Sequence, residues 1–468
     1  MGVRCIAGQM PVRRDAGRGS MTLAARAMAV LAKYGSSAHM WLPGVGYVNG
    51  INCKNFKDGA LLATGVDDVV GYVGDAAQGT GLVAQNTTTA QKPFLRRGAV
   101  NYAVASEMTG AALGVIGSGG SLPAGWTIGP CAGITSSVAG LGTLPDGAKY
   151  IDIRIFGTNT SGAQTPLDLM FGSMPAIQGV NATLSLRYAV LSAVNISGFT
   201  PSTREFGLLE LTSASGYVTV GTGVAEGGTI DTVKSYSRAI TGATTAKVTA
   251  FIKNTVVIGG TVDITFRVAQ PMLQQGAVAT AYVGTTGATP KSAPSGGLYW
   301  ELDGADDMFN LPGATHQLAD SWFVAAASRP RVTSGYRSII VPASNSATTA
   351  RLGAIGIEPG GNLFVYGSTD AGVTFNNVIG VVAAEEKFIA SAWSDGTTMF
   401  GRKNSNSVVS VALGAPPVTL NAGAIGKGIG FAAFYGSVYG GIVIKAATTA
   451  ADRLTLNKFL GSLAGVTL

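Results

Sequence analysis

The sequence predicts an all-β protein with two antiparallel β-sandwich (jelly-roll) domains in tandem, after a short N-terminal helical and irregular anchor segment. Three observations predict this class. After residue 97, runs of alternating apolar and polar residues recur at roughly 10–15-residue intervals. Glycine supplies 67 of the 468 residues, which suits many tight turns. Charged residues make up only 12%, against a usual share of ~25%, which argues against long solvent-exposed helices.

The strand pattern is clearest in TVDITFRVAQPML, residues 261–273. Its alternate apolar side chains fall on one face of an extended chain: Val262, Ile264, Phe266 and Val268. Polar residues fall on the other face, as in a half-buried antiparallel strand. Together with similar runs between residues 150 and 253, this segment predicts a first jelly roll over residues 98–290.

A stretch rich in Pro, Gly and Ser, residues 287–297, is the predicted linker between the two domains. Strand-like runs joined by Gly and Asn/Asp turns follow it, and they predict a second β-sandwich over residues 298–468. The chain ends in a predicted amphipathic helix that begins at Thr448 or Thr449. The expected apolar side of this helix carries Leu454, Phe459 and Leu460.

Residues 1–36 combine a basic tail with one predicted amphipathic helix. Ser20 is the expected N-cap, and the helix is predicted to run from Met21 to Tyr34. Two interpretations of its apolar stripe stay open: packing on the helix's own domain, or docking and anchoring to a partner. Residues 37–97 contain several turn signals and are interpreted as a short turn-rich linker segment.

The bulk properties bear on partners and compartment. The net charge of +7 does not predict a nucleic-acid partner, because the basic residues are dispersed apart from a cluster near the N-terminus. The cysteines are odd in number and far apart, which excludes a disulfide framework and favours assembly in a cytosol: Cys5, Cys53 and Cys131. No window predicts a membrane span, and the N-terminus lacks the apolar core of a secretory signal.

No constellation in the sequence predicts a catalytic or cofactor site, so the protein is expected not to be an enzyme. Only two histidines occur, and no G-x-S-x-G turn accompanies them. The adjacent carboxylate pairs at 306–307 and 385–386 would point to opposite faces of a strand, so neither can flank one glycosidic bond. A distant pair such as Glu301 and Asp395 stays open.

Two groups of residues are candidates for binding. Hard carboxylate oxygens at short spacing make Asp303, Asp306 and Asp307 a candidate calcium site, with an Asp-rich turn as the competing interpretation. Aromatic rings that could stack on the apolar face of a sugar form the second group, with core packing as the alternative. This group consists of Trp393, Tyr366 and Tyr435.

Five local patterns resemble modules of bacteriophage virion proteins. GLYWELDGADDMFNLP, KFIASAWSDGTTMFGRKN and ADRLTLNKFLGSLAGVTL resemble the opening strand, the paired strands and the terminal helix of concanavalin A-like (laminin-G-like) lectin modules. Upstream, VAQPMLQQGAVATAYVGTTG and KPFLRRGAVNYAVASEMT resemble the last strand and the start of a carbohydrate-binding-module-like jelly roll in phage tail and fibre proteins. The resemblance covers about residues 90–468.

The resemblance implies a phage virion component, such as a fibre, tail or head-decoration protein, assembled in the host cytoplasm. It implies attachment to a host surface polysaccharide through the C-terminal lectin-like domain, and docking to capsid or tail proteins through the N-terminal segment. A homo-oligomer, with a trimer favoured by analogy with phage fibres, would cover some open strand edges. A purely structural role and a polysaccharide depolymerase are the alternatives.

Overall fold

The computed structural model of the chain describes residues 22–43, 47–48, 51–52, 55–56, 70, 72–74, 82–83, 93–163, 165–176, 178–194, 205–224, 230–293, 298–304, 306–311, 318, 321–331, 333, 335–344, 351–368, 374–413, 422–427 and 431–468. This part of the chain is all-β with two α-helices, and the strands of its main sheets pair antiparallel except for one short parallel pair at the edge of the seven-stranded sheet. The predicted fold class is therefore confirmed. Neither described helix is long and apolar enough to cross a membrane.

The N-terminal part holds one helix, α1 (Leu23–Tyr34), a short 3-10 turn and seven short strands. The strands are β1 (Ala38–Trp41), β2 (Tyr47–Val48), β3 (Ile51–Asn52), β4 (Asn55–Phe56), β5 (Tyr72–Gly74), β6 (Leu82–Val83) and β7 (Phe94–Arg97). The helix starts two residues later than predicted, because Thr22 Oγ1 accepts the capping hydrogen bond from Ala25 N at 3.2 Å. The predicted cap, Ser20, lies outside the described residues.

The first sandwich contains the strands that follow. They are β8 (Val100–Asn101), β9 (Gly114–Ile116), β10 (Gly119–Gly120), β11 (Thr127–Ile128), β12 (Ile134–Thr143), β13 (Lys149–Thr158), β14 (Thr165–Pro166), β15 (Leu169–Pro175), β16 (Asn181–Val194), β17 (Glu205–Leu211), β18 (Tyr217–Val224), β19 (Val233–Ala239), β20 (Lys247–Lys253), β21 (Thr255–Val256), β22 (Thr261–Gln275) and β23 (Lys291–Ser292).

Two sheets of the first sandwich enclose one apolar core. The seven-stranded sheet has the order β10-β9-β12-β13-β22-β16-β19, and the five-stranded sheet has the order β11-β15-β20-β17-β18. In β22, Val262, Ile264, Phe266 and Val268 are all buried in that core, as the period of two predicts.

The second sandwich contains the remaining elements. They are β24 (Leu298–Asp303), β25 (Phe309–Leu311), β26 (Ser321–Pro330), β27 (Arg337–Ser344), β28 (Arg351–Ile357), β29 (Asn362–Ser368), β30 (Thr374–Val381), β31 (Phe388–Asp395), β32 (Thr398–Lys403), β33 (Val409–Ala412), β34 (Ala422–Ile425), β35 (Tyr435–Ile444) and α2 (Ala450–Ala464). Its six-stranded sheet has the order β25-β34-β27-β28-β29-β30. Its eight-stranded sheet runs β33-β32-β31-β26-β35-β24-β7, and β1 also pairs with β35.

Strands β1 and β7 are part of the second sandwich, although nearly two hundred residues of the first sandwich separate them from its other strands. Strand β1 pairs with β35 from Ala38 opposite Ile444, and β7 pairs with β24. Leu95 of β7 is fully buried in the core between the two sheets. The expectation of a linker over residues 37–97 is therefore wrong for Ala38–Trp41 and Phe94–Arg97.

The connection between the sandwiches is double rather than a single flexible tether. Strands β7 and β24 pair with each other, and so do β8 and β23, so the chain that enters the first sandwich runs antiparallel to the chain that leaves it. Part of the predicted linker at residues 287–297 is thus paired, at Lys291 and Ser292, while residues 294–297 lie outside the described part. The first sandwich is inserted into the second.

Helices α1 and α2 cover the outer face of the eight-stranded sheet. The apolar stripe of α1 is buried there, with Ala27 and Leu31 packed in one cluster with Leu460 of α2. At the start of α2, Asp452 accepts hydrogen bonds from Lys33 Nζ at 2.7 Å and from Tyr34 Oη at 2.8 Å. Of the two interpretations of the α1 stripe, this packing favours the one within its own chain.

The C-terminal helix begins as predicted. Thr449 caps it by accepting a hydrogen bond from Asp452 N at 3.1 Å. It ends at Gly465, whose left-handed φ of 75° suits glycine. The predicted apolar side is correct for Phe459 and Leu460 but wrong for Leu454, which is 42% exposed. Leu456 is buried in its place, since it lies one turn before Leu460.

Candidate functional site

The three predicted metal-binding carboxylates lie together in the turn after β24. One carboxylate oxygen from each of Asp303, Asp306 and Asp307 lies within 4.8 Å of the others. The turn also binds itself: Asp307 Oδ2 accepts from Asp303 N at 2.8 Å, and Asp303 Oδ1 accepts from Asp306 N at 3.4 Å. The geometry thus suits both interpretations, a hard-cation site and a hydrogen-bonded Asp turn.

The carboxyl group of Asp307 has a strongly raised pKa. Burial raises the pKa of its carboxyl group, and the charge of Asp303 raises it further, to about 7. A divalent cation at the turn would reverse this effect, because it favours the ionised carboxylate. The protonation state of the Asp307 carboxyl group would therefore depend on whether a divalent cation is bound at the turn.

Tyr366 belongs to an aromatic cluster on the outer face of the six-stranded sheet. In β29, Leu363 and Val365 point into the core, so Phe364 and Tyr366 point outward. The ring of Phe431 lies 5.8 Å from that of Phe364 and 5.9 Å from that of Tyr366. The ring of Tyr336 lies 6.5 Å from that of Phe364. We call Tyr336, Phe364, Tyr366 and Phe431 the aromatic platform.

The platform has a buried base and an exposed rim. Phe364 is buried against Gly356 of the neighbouring strand, where an ideal Cβ would lie only 2.8 Å from its ring. Tyr336 is 54% exposed, and Tyr366 is partly exposed. Asn376 lies opposite Tyr366 on β30 and is exposed, which adds an amide group on the same side of the sheet. The result is an outward-facing aromatic cluster whose rings meet mostly edge to face, with an exposed amide group beside it.

The other two predicted aromatic residues lie elsewhere. Trp393 is only 9% exposed, stacks on Phe400 at 5.6 Å between ring centroids, and has the Arg453 guanidinium of α2 4.4 Å above its ring. Tyr435 lies opposite Asp303 at the end of β24, with the Arg331 guanidinium 5.6 Å from its ring. The structure therefore does not bring Trp393, Tyr366 and Tyr435 together.

Sequence reasoning missed Tyr336 and Phe431. Tyr336 stands just before β27 and Phe431 in the loop before β35, 95 positions apart, so no local pattern connects them. The alternation of β29 was the one available signal, because it places Phe364 and Tyr366 on the same face.

A buried ion-pair cluster lies where the two sandwiches meet. Glu301 Oε2 accepts from Arg96 Nε at 2.7 Å, and Glu301 Oε1 accepts from Arg331 Nη2 and, at 3.1 Å, from Tyr102 Oη. Burial alone would raise the pKa of Glu301, but the Arg331 and Arg96 charges outweigh it and hold the pKa at about 2. The Glu301 carboxylate is therefore ionised at neutral pH, and both of its oxygens accept hydrogen bonds within the ion-pair cluster.

The other residues considered for catalysis, where the structure describes them, take part in a turn or in core packing. The exposed Asp395 accepts hydrogen bonds from the backbone N–H groups of Thr397 and Thr398, each at 2.9 Å, as expected of a tight turn. His39 is buried and stacks on Trp41 at 6.0 Å between ring centroids. His316 lies outside the described residues.

Comparisons with known proteins give no family. Neither a protein family model nor a curated protein matches this chain. Among solved structures, Trypanosoma rangeli sialidase aligns at 10% identity and a TM-score of 0.29, over 72% of this chain and 73% of that chain. The tandem CBM22 domains of Paenibacillus barcinonensis Xyn10C align at 7% identity and a TM-score of 0.22, over 75% and 99%. Likenesses this low carry no argument about fold or function.

Proposed function

We propose that this chain is a non-enzymatic bacteriophage virion protein that attaches to a glycan on the host cell surface through the aromatic platform of its second sandwich. The observation that carries the proposal is the platform itself. Its exposed rings offer apolar faces of the kind on which sugar rings stack, and Asn376 offers donors and an acceptor for hydroxyl groups.

The virion assignment is supported by the resemblance of segments within residues 90–468 to phage fibre and tail modules. The apolar stripe of α1 is already used inside the chain. Docking to a capsid or tail protein would therefore depend on the basic residues before Thr22 or on other surfaces. A trimer, as in phage fibres, would carry three platforms in one assembly and strengthen weak glycan binding through multivalency.

The test uses the full chain, because a fragment of residues 298–468 would lack α1, β1 and β7 of the second sandwich. Binding is measured on a bacterial glycan array and on whole host cells. We expect Tyr336→Ala and Tyr366→Ala each to weaken binding about tenfold, as expected for the loss of one stacking contact. Tyr217→Ala, at a 67% exposed tyrosine of the first sandwich, is the matched control and should bind normally.

The outcomes separate the alternatives. If the unmodified chain binds no bacterial glycan but associates with a virion protein, its role is purely structural. Release of reducing sugar from the bound polysaccharide would identify a depolymerase and overturn the non-enzymatic assignment. If Tyr217→Ala weakened binding as much as Tyr366→Ala, the aromatic platform would not be the binding surface.

A further inference from the structure

A second surface lies in the cleft between the two sandwiches. The cleft has a volume of about 200 Å³, below the ~300–1,000 Å³ of typical ligand pockets. The second sandwich contributes Arg329, Arg331 and Lys387 to its lining, and the first contributes Gln274 and Gln275. This size admits a small charged group or a single small ligand rather than a long chain.

Positive charge exceeds negative charge in this lining. Glu301 neutralises Arg331, but it is shared with Arg96. Within the described part of the chain, the Arg329 guanidinium forms an ion pair with one carboxylate, that of Glu385, at 3.5 Å. Among the described residues no carboxylate forms an ion pair with Lys387.

Of the three cations in the lining, Lys387 is the one whose positive charge is not balanced by a carboxylate among the described residues. Burial lowers the pKa of its ammonium group, and the charge of Arg329 lowers it further. Its Nζ lies 5.5 Å from the centroid of the Tyr439 ring, and the Arg329 guanidinium lies 5.6 Å from the Tyr299 ring. Lys387 also lies beside Gly465 at the negative end of α2, but burial and Arg329 still lower the pKa of its ammonium group overall. An incoming anion would stabilise both cations.

The opposite wall supplies uncharged polar groups. The side-chain nitrogen and oxygen of Gln275 are both buried, and neither has a hydrogen-bond partner among the described residues. Because both atoms are closed off from water in this conformation, the Gln275 side chain must turn toward the cleft before a ligand hydroxyl group can donate to its oxygen and accept from its nitrogen. The cleft therefore combines cations on one wall with an amide on the other.

We propose that this cleft binds a small oxyanion carried by an acidic sugar, with the anionic group between Arg329 and Lys387 and the sugar hydroxyl groups toward Gln275. The inference goes beyond the proposed function. It concerns a site on a different surface from the aromatic platform and a different ligand group.

Isothermal titration of the full chain with glucuronate, glucose and inorganic sulfate tests this inference. We expect glucuronate to bind at least about tenfold more tightly than glucose or sulfate, because it alone satisfies both walls. Lys387→Gln should weaken glucuronate binding about tenfold, and Lys387→Arg should retain most of it. Lys458→Gln, at an exposed lysine of α2, is the control and should change nothing.

The inference would be overturned if glucuronate did not bind at millimolar concentration, or if glucose bound equally well. Tighter binding of sulfate than of glucuronate would also overturn it, because the occupant would then be a free inorganic anion. A thermal melt of Lys387→Gln separates a structural role at the end of α2 from ligand binding. Tyr366→Ala should leave glucuronate binding intact. Failure of the aromatic platform on host cells and failure of the cleft are therefore distinguishable.

Discussion

Arg96 and Glu301 are 205 positions apart in the sequence and form a buried ion pair, with 2.7 Å between Arg96 Nε and Glu301 Oε2. Arg96 lies on the strand that leads into the first sandwich, and Glu301 lies on the strand that follows it. Tyr102 and Arg331 bind the same carboxylate. The ion pair therefore links β7 and β24, the two strands through which the chain passes between the sandwiches. It helps to hold the first sandwich in position against the second.

Loss of the Glu301 charge should destabilise the fold strongly. Glu301→Gln removes the carboxylate charge that two buried guanidinium groups share, so we expect a loss of about 3–5 kcal/mol in the free energy of unfolding. Urea denaturation at pH 7 measures it. The control is Glu205→Gln, which removes a partly exposed pair with Lys253 at 3.4 Å and should cost about 0–1 kcal/mol. Similar losses in the two variants would contradict the role assigned to Glu301.

Acid should remove the same contribution. The pKa of Glu301 is about 2 in the folded chain, below the ~4.3 of an unfolded glutamate, so its stabilisation is present above pH ~4.3. It declines as the pH falls from there through about 2. We expect the difference in unfolding free energy between the unmodified chain and Glu301→Gln to shrink between pH 5 and pH 2. A pH-independent difference would show that the carboxylate charge is not what stabilises the junction.

The sequence predicts individual strands and helices better than it predicts which of them pack against each other. The alternation in β22 identified the buried side chains, because period two is a property of the strand itself. Trp393 could not be placed, because β31 is buried on both faces: Ala390 and Ala392 face the inter-sheet core, while Ile389 and Trp393 face the helices. Nothing local indicates which face the helices cover.

The pairing of strands that are distant in the sequence was likewise not predictable. Ala38 pairs with Ile444, some four hundred positions away, and a four-residue strand carries no signal for so distant a partner. The Asp303–Asp307 turn was predictable because its carboxylates lie within five positions. The aromatic platform was not, because the segments of Tyr336 and Phe431 meet only in the folded chain, where Ala432 N donates to the Tyr336 carbonyl oxygen at 2.9 Å.

Asp307 should make the fold less stable as the pH rises. Its pKa is about 7 in the folded chain and ~3.9 when unfolded, so its favourable contribution is complete below pH ~3.9 and is lost as the pH rises through about 7. Asp307→Asn removes the charge and keeps the shape. At pH 8, without divalent cations, we expect it to raise the unfolding free energy by about 1–4 kcal/mol, at ~1.4 kcal/mol per pKa unit.

Thermal melts at pH 4 and pH 8 check this prediction. The gain from Asp307→Asn should appear at pH 8 and vanish at pH 4. Asp231→Asn, at an exposed turn of the first sandwich, should change stability by less than ~0.5 kcal/mol at either pH. A gain of equal size at both pH values would mean that burial of the charge is not its cause.

Calcium should counteract the Asp307 effect if the turn is a metal site. Millimolar Ca²⁺ should raise the melting temperature more at pH 8 than at pH 5, because binding requires the ionised carboxylate. At 100 times the dissociation constant the gain would be ~2.7 kcal/mol. Asp307→Asn should abolish it, and Mg²⁺ should substitute poorly. No Ca²⁺ effect at pH 8 would favour the alternative of a self-bonded Asp turn.

Leu31 distinguishes the two interpretations of α1. Its side chain is 2% exposed and packs in one cluster with Trp393 and with Leu460 of α2, so Leu31→Ala should cost about 2–5 kcal/mol in unfolding free energy. Urea denaturation followed by tryptophan fluorescence measures it. Leu454→Ala on α2 removes the same atoms from a 42% exposed position and should cost far less. If Leu31→Ala left stability unchanged but weakened association with a virion protein, α1 would be a docking helix rather than part of the second sandwich.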